Sequence, residues 1–476
     1  MLIPMKYDMD FLSLVRSLLL ILLCTIPHTA YTVDFGRIQP DEVAYYVQDL
    51  QTGEVLAQHQ ENTPMSPAST MKLVTSFAAF TVLGKDYQWI TSWSSDAPIH
   101  NGNLLGDLYW KGTNDPVFDQ KDLTSMQIQL IEKGIYNIQG NLVLDKSLQK
   151  EVNTSHGFDK DKNKSFTTPP DPHNLAYKVV WLYYYLNSQN QPTIGINPPL
   201  PSNMTNIQVT SNPTIKDCAS ISSYLYTKWD GQQLNIKGNI PPSCVGESAY
   251  INIFDINQFV KYSFISHWQK LGNIGPKDVL IGHEPIITKI LAINYSPKLS
   301  HIIKNMNKYS NNLIARSIFL EIGKKTNLPS AQAITRTLQK ADISTEHFFI
   351  ENGSGLSRVS QVTTKMLGQI LYASYFSSFK YEFIDSLPIA GIDGTLKRRL
   401  KTMPNLHLKT GNLDNVHALA GYKLPSQNHE HPISIAIIVN KKHNTNLING
   451  DLDQLLVSIL KDVSEQHNMQ APQSLK

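Results

Sequence analysis

Short strands and turns fill this chain from about residue 96 to residue 285, and helical patterns resume on the far side. That change of texture constrains the fold more than any other feature. At 476 residues the chain exceeds one ordinary core, so two or three domains are expected, with a strand-rich middle. Ahead of the middle, residues 43–58 read as a hairpin: a strand at 43–47, a turn at Gln51-Thr52-Gly53 and a return over 54–57. Inside the middle, His100-Asn101-Gly102-Asn103 predicts a hairpin turn leading into a strand at 104–111. Beyond it, helices are predicted near 302–322 and 363–375, and strands at 417–424 and 433–440. A last helix over 451–466 puts Leu452, Leu455, Leu456, Ile459, Leu460 and Val463 on one face. It is acidic rather than Lys/Arg-rich, which predicts packing on a sheet and not on a membrane.

The first thirty residues differ. Lys6 and Arg16 flank the start of an apolar run over 17–26, the length of a signal-peptide core and short for a bilayer span. Export is expected, through a leader at 1–30 that is either cleaved or kept as an N-terminal anchor. Removing the leader leaves Cys218 and Cys244. An even pair in an exported chain predicts a disulfide worth ~3.5 kcal/mol by loop closure, with two buried thiols as the alternative. No Cys/His group has metal-ligand spacing, so neither a metal nor a cofactor is expected. The net charge of +3 is spread out without a basic block, which argues against a nucleic-acid partner.

Ser69-Thr70-Met71-Lys72 carries the most chemistry. A lone serine is a weak nucleophile at neutral pH. A lysine one helical turn on can take its proton, provided burial or a neighbouring cation depresses the lysine pKa. Residues i and i+3 share a helix face, so the two can meet. Ser147, Ser377 and Ser458 also precede a lysine by three residues, so context selects among them. Ser66 suits an N-cap and Pro67 the first helical position. Leu73, Phe77, Phe80 and Leu83 recur at helical spacing, and Gly84 suits a stop. Ser69 is thus expected in a first helical turn, where free N–H groups favour developing negative charge.

Ser310-Asn311-Asn312 lies in a helical pattern, and Lys409-Thr410-Gly411 precedes a strand pair. Each alone is ordinary. The order Ser-x-x-Lys, Ser-x-Asn, Lys-Thr-Gly is a specific mechanical set, and it resembles the penicillin-binding proteins and serine β-lactamases. Gly353-Ser354-Gly355-Leu356-Ser357-Arg358, Gly391-Ile392-Asp393-Gly394-Thr395 and Leu419-Ala420-Gly421-Tyr422 narrow the likeness. They resemble the D-Ala-D-Ala carboxypeptidase/endopeptidase family S13, the PBP4 (DacB) type among class C low-molecular-mass penicillin-binding proteins. Gly112-Thr113-Asn114-Asp115-Pro116 is similar to that family's Gly-x-Gly-Asp-Pro segment. The spacing agrees: 241 residues separate Ser69 from Ser310, but only 99 separate Ser310 from Lys409.

The resemblance implies an α/β (α+β) fold, with a penicillin-binding/β-lactamase-like transpeptidase domain whose antiparallel sheet is flanked by helices. Residues 33–95 and 286–470 would form it, split by a long β-rich insertion at 96–285 made of two small subdomains. The implied activity is that of a periplasmic serine D-Ala-D-Ala carboxypeptidase on peptidoglycan stem peptides, with endopeptidase action on cross-links as a further capacity. β-Lactam antibiotics are the implied covalent inhibitors. Ser69 is the expected nucleophile, Lys72 the base and Ser310 the relay to the departing D-alanine nitrogen. Asn312 either binds the substrate amide or holds Lys72. Lys409 and Thr410 are expected at the terminal carboxylate, with Gly411 letting an extended substrate lie on the strand edge. The N–H groups of Ser69 and Asn412 would form the oxyanion hole. Asn412 stands where the family usually has Ser or Thr, which removes a hydroxyl but not the N–H. Arg358 and Ser354 are expected in a pocket for the free end of the stem-peptide diamino acid. A structural ion pair is the equal alternative for Arg358. Asp159 or Asp161 would be the acidic pocket residue, and Asp393 a turn or structural residue. The rivals are a β-lactamase-like hydrolase and a non-catalytic peptidoglycan-binding scaffold.

Overall fold

The computed structural model describes residues 33–470, apart from 149–151, 153–154, 156, 162–163, 428–429 and 443–447. The expected leader at 1–30 lies outside the described residues. The main sheet has five antiparallel strands in the order Leu406–Leu413, Val416–Lys423, Ile433–Asn440, Val43–Asp49 and Val55–His59. The first hairpin of the chain therefore completes a sheet built mainly from its end. Its central strands are apolar on both faces, because both faces are covered. Val43, Tyr45 and Val47 pack with Ile435, Ile437 and Val439 under the terminal helix Asn449–Gln470. That helix buries the six apolar residues expected of it. Ala44, Ala436 and Ile438 pack on the opposite side, against a layer that includes the helices Met71–Val82 and Thr364–Tyr375.

The strand Ile90–Ser95 pairs antiparallel with Lys289–Tyr295, so the chain leaves and returns side by side. Between them lie most of a second five-stranded sheet and two larger three-stranded sheets. Trp93, Trp110, Phe264 and Trp268 anchor a core separate from those of the main sheet. Cys218 and Cys244 form a disulfide here. The expected strand at 104–111 is broken. Leu104 pairs with Ile99 and Ile138, whereas Leu108–Lys111 joins the larger sheet. The predicted helix at 302–322 is likewise two helices, Leu299–Tyr309 and Asn312–Thr326. Their apolar faces stay in phase across the break, which hides it from periodicity.

Candidate active site

Ser69 lies in a single 3-10 turn, Ala68–Thr70, that runs into the helix Met71–Val82. The expected Ser66 cap does not form. Ser66 N donates to Asn440 Oδ1 at 2.8 Å, and its carbonyl accepts from Asn440 Nδ2 at 3.0 Å. Tied to the sheet in this way, the chain enters the helix through Ala68 at φ 45°, in the left-handed region. The Ala68 carbonyl rests on Gly355, where an added Cβ would sit 1.7 Å away. Gly355 itself has φ 78°, so the nucleophile turn and the 352–358 loop fit together only with glycine there.

Lys72 Nζ donates to Ser69 Oγ at 3.0 Å, Asn312 Oδ1 at 2.7 Å and the Ser354 carbonyl at 2.6 Å. None of these partners is a carboxylate. Burial of the whole side chain, reinforced by the Lys409 charge, holds the Lys72 amine well below its ordinary pKa. A neutral amine at that distance can accept the serine proton.

Ser310 closes the helix Leu299–Tyr309 at φ 58°, and the Asn311 side chain caps the next helix through Ile314 N at 3.0 Å. The break places Ser310 Oγ 2.9 Å from Lys409 Nζ and Asn312 against Lys72. Lys409 is also fully buried, which lowers its pKa to about 7. The Thr410 hydroxyl donates to Thr395 Oγ1 at 2.9 Å. A Cβ at Gly411 would come within 2.8 Å of the Pro67 carbonyl. The glycine therefore serves the contact between strand and nucleophile turn, not only room for substrate.

Strand Leu406–Leu413 is the free edge of the main sheet. Leu408 N and the Leu406 carbonyl bond outward, to Pro388 and Ala390. Backbone direction alternates along an antiparallel strand, so Thr410 and Asn412 also turn their N–H groups off this edge. Asn412 and Ser69 line one cleft of about 540 Å³, together with Ser310, Asn312 and Arg358. The other wall brings Phe158, Asp161 and Phe166 from the inserted segment. Asn312 Nδ2 donates to the Phe166 carbonyl at 3.0 Å, so both ends of this amide are engaged. Sequence reasoning missed Phe166, and no local signal marks a carbonyl contact 146 residues away.

Arg358 lines the cleft, pairs with Asp414 at 3.0 Å and lies 4.7 Å from the Phe158 ring centroid. Arg358 thus stands on the cleft wall and carries an ion pair whose partner, Asp414, is exposed. Ser354 departs from expectation. Its side chain is fully buried, with Oγ donating to Asn352 Oδ1 at 2.7 Å and accepting from Leu356 N, and only its carbonyl reaches Lys72. Asp393 accepts from Ile389 N and from Lys308 Nζ at 2.7 Å, a structural tie as expected. Asp161 reaches the cleft, whereas the Asp159 side chain lies outside the described residues.

With this geometry in place, the sequence profile of the D-Ala-D-Ala carboxypeptidase 3 (S13) family matches residues 29–463. The chain belongs to that family. Among its relatives, D-alanyl-D-alanine carboxypeptidase DacB of Haemophilus influenzae is 27% identical over 394 residues, covering 80% of this chain and 82% of that one. The crystal structure of penicillin binding protein 4 (dacB) from the same organism superposes with a TM-score of 0.69 at 24% identity. The superposition covers 90% of this chain and 96% of that one, and it establishes the shared fold. A second structure of that protein, in complex with a β-lactam, has a TM-score of 0.64 at 24% identity over the same shares of the two chains. S13 membership makes this protein a carboxypeptidase-type hydrolase of peptidoglycan peptides.

Proposed function

We propose that the protein is a serine D-alanyl-D-alanine carboxypeptidase that cleaves peptidoglycan stem peptides through an acyl-enzyme on Ser69. The observation that carries this reading is the buried Lys72 amine held between Ser69 Oγ and Asn312 Oδ1. Lys72 takes the Ser69 proton as Oγ attacks the carbonyl of the penultimate D-alanine. The N–H groups of Ser69 and Asn412 receive the developing oxyanion, where one lost donor costs about 3 kcal/mol. The C–N bond breaks, and Ser310 passes a proton to the departing D-alanine nitrogen. Lys409 behind Ser310, with Thr410, supplies the positive end of the site for the terminal carboxylate. Water then cleaves the ester, freeing the shortened peptide and Ser69.

The same acyl transfer with a cross-linking amine as leaving group is endopeptidase action, and a cross-linked muropeptide dimer tests it. The positions of Asp161 and Arg358 on the cleft wall support a role for both in meeting the stem-peptide side chain. The substrate and the apolar run at 17–26 both support export to the periplasm. Among the described residues, no helix is long and apolar enough to cross a membrane. Separate hydrophobic clusters support a catalytic unit split by an insertion, with the strands Ile90–Ser95 and Lys289–Tyr295 on the insertion's side of the expected 95/96 and 285/286 boundaries, because Trp93, Leu291 and Ala292 pack in its core.

The test is labelled penicillin followed by D-alanine release from a stem pentapeptide. A persistent adduct and release, both lost in Ser69→Ala, are the expected result. Rapid turnover of penicillin would make the protein a β-lactamase-like hydrolase, and no adduct would leave a binding scaffold.

A further inference from the structure

A cavity of about 1370 Å³ contains none of the residues assigned above. It lies in the inserted segment, between the strand Val180–Leu186 and the helix Ile256–Lys270. Alternation along the strand buries Val180, Leu182 and Tyr184 and turns Trp181, Tyr183 and Tyr185 outward. Those three rings form a continuous row, with centroids 5.6 and 5.4 Å apart, and the second pair is stacked. They are 41%, 37% and 40% exposed. The neighbouring strand supplies Gly195 opposite Tyr183, and the Tyr183 ring lies over it. Tyr250 faces Trp181 from the other side and extends the same face.

Three consecutive outward aromatics on one strand cost solvation, and the core does not use them. Their faces are flat and apolar, their edges carry hydroxyl and indole N–H groups, and Ser248, Gln269 and Lys270 border the groove. A row of this kind matches a polymer of rings whose faces are C–H and whose edges are hydroxyl and amide. A pyranose strand is such a polymer, and stacking of sugar C–H faces on aromatic rings holds it along the row. Lys270 lines the groove and adds a cation at the rim, complementary to carboxylates along the strand.

We propose that this groove binds the glycan strand of peptidoglycan, a polymer of N-acetylated amino sugars. The choice of this glycan rests on the reading of peptidoglycan as substrate. The groove would then hold the enzyme on the polymer while the cleft acts on its peptides.

The experiment uses the mature full chain, with chitohexaose and peptide-free glycan strands as probes in titration calorimetry. The wild type is expected to bind both. Trp181→Ala and Tyr183→Ala should each weaken binding by about tenfold, the scale of one lost aromatic partner. Tyr183→Phe keeps the ring and should keep the affinity. Penicillin acylation of Ser69 should be unchanged in all three, and the reductant-sensitive thermal transition of the inserted segment should be kept, which reports that the segment carrying the groove is folded. The proposal fails if the wild type binds neither probe, or if the alanine variants bind as well as it does. It fails equally if sedimentation shows a dimer that the alanine variants dissociate, since the groove would then hold a second copy of this chain. Glycan binding without D-alanine release would instead count against the catalytic reading alone.

Discussion

Two buried lysines face each other across Ser69 and Ser310 with opposite tasks. Lys72 must be neutral to take a proton, whereas Lys409 must be charged to meet a carboxylate. Burial depresses both pKa values, and the Lys409 charge depresses Lys72 further. For penicillin acylation, kcat/KM should therefore rise with pH as Lys72 loses its proton and fall above about 7 as Lys409 does. In Lys409→Arg the guanidinium stays charged, so the alkaline fall should disappear from the pH profile. The same burial has a cost in stability. The unfolded chain carries Lys409 at its ordinary pKa of 10.5, so from about 7 to 10.5 it binds more protons than the native state. Stability from this group rises with pH across that window. Lys409→Met should raise stability at neutral pH by about 1–2 kcal/mol in denaturant melts while abolishing D-alanine release.

At the scale of elements, the site is assembled by three places where regular structure stops. Ala68 at φ 45° turns the chain into the nucleophile helix, and Ser310 at φ 58° splits a helical pattern in two. The edge strand at 406–413 leaves the N–H groups of Thr410 and Asn412 without a sheet neighbour. Positive φ at a non-glycine residue costs about 1 kcal/mol or more, and it persists where surroundings enforce it. Here Gly355 is the enforcing partner of Ala68. Gly355→Ala combines a left-handed φ with a 1.7 Å approach to the Ala68 carbonyl. It should slow penicillin acylation by at least ~100-fold and cost about 2–4 kcal/mol in unfolding free energy. Equal acylation in that variant would show that the turn tolerates displacement.

At the scale of the molecule, the inserted segment both builds a separate core and reaches back into the cleft through Phe166. Asn114 and Asn174 bond to Ser317 on the helix that starts with Asn312, so a second seam ties the two parts. The disulfide lies in the insertion and not at this seam. Reduction should destabilise the insertion by ~3.5 kcal/mol, the loop-closure estimate. Penicillin acylation below the new melting temperature should be retained, because Ser69 and Lys72 belong to the other core. Loss of acylation on reduction would mean that the two parts unfold together. Two thermal transitions, the earlier one sensitive to reductant, are the expected calorimetric record.

The order and spacing of the three motifs, the strand at 433–440 and the buried face of the last helix were all legible in the sequence, because each is a local pattern of side-chain type and period. The order of motifs led to the penicillin-binding proteins and serine β-lactamases, the segments at 353–358, 391–395 and 419–422 narrowed the likeness to S13, and the pairing of Cys218 with Cys244 followed from a count and an expectation of export. Tertiary structure alone decided the rest. Asn440, 374 residues away in sequence, ties down the Ser66 backbone N–H and carbonyl, and the side-chain cap expected of Ser66 does not form. Ser354 contributes a carbonyl and not a hydroxyl, Gly411 makes room for the nucleophile turn, and Phe166 closes the amide of Asn312. Each depends on a contact between segments distant in the chain, where packing and unsatisfied polar groups outweigh local preference.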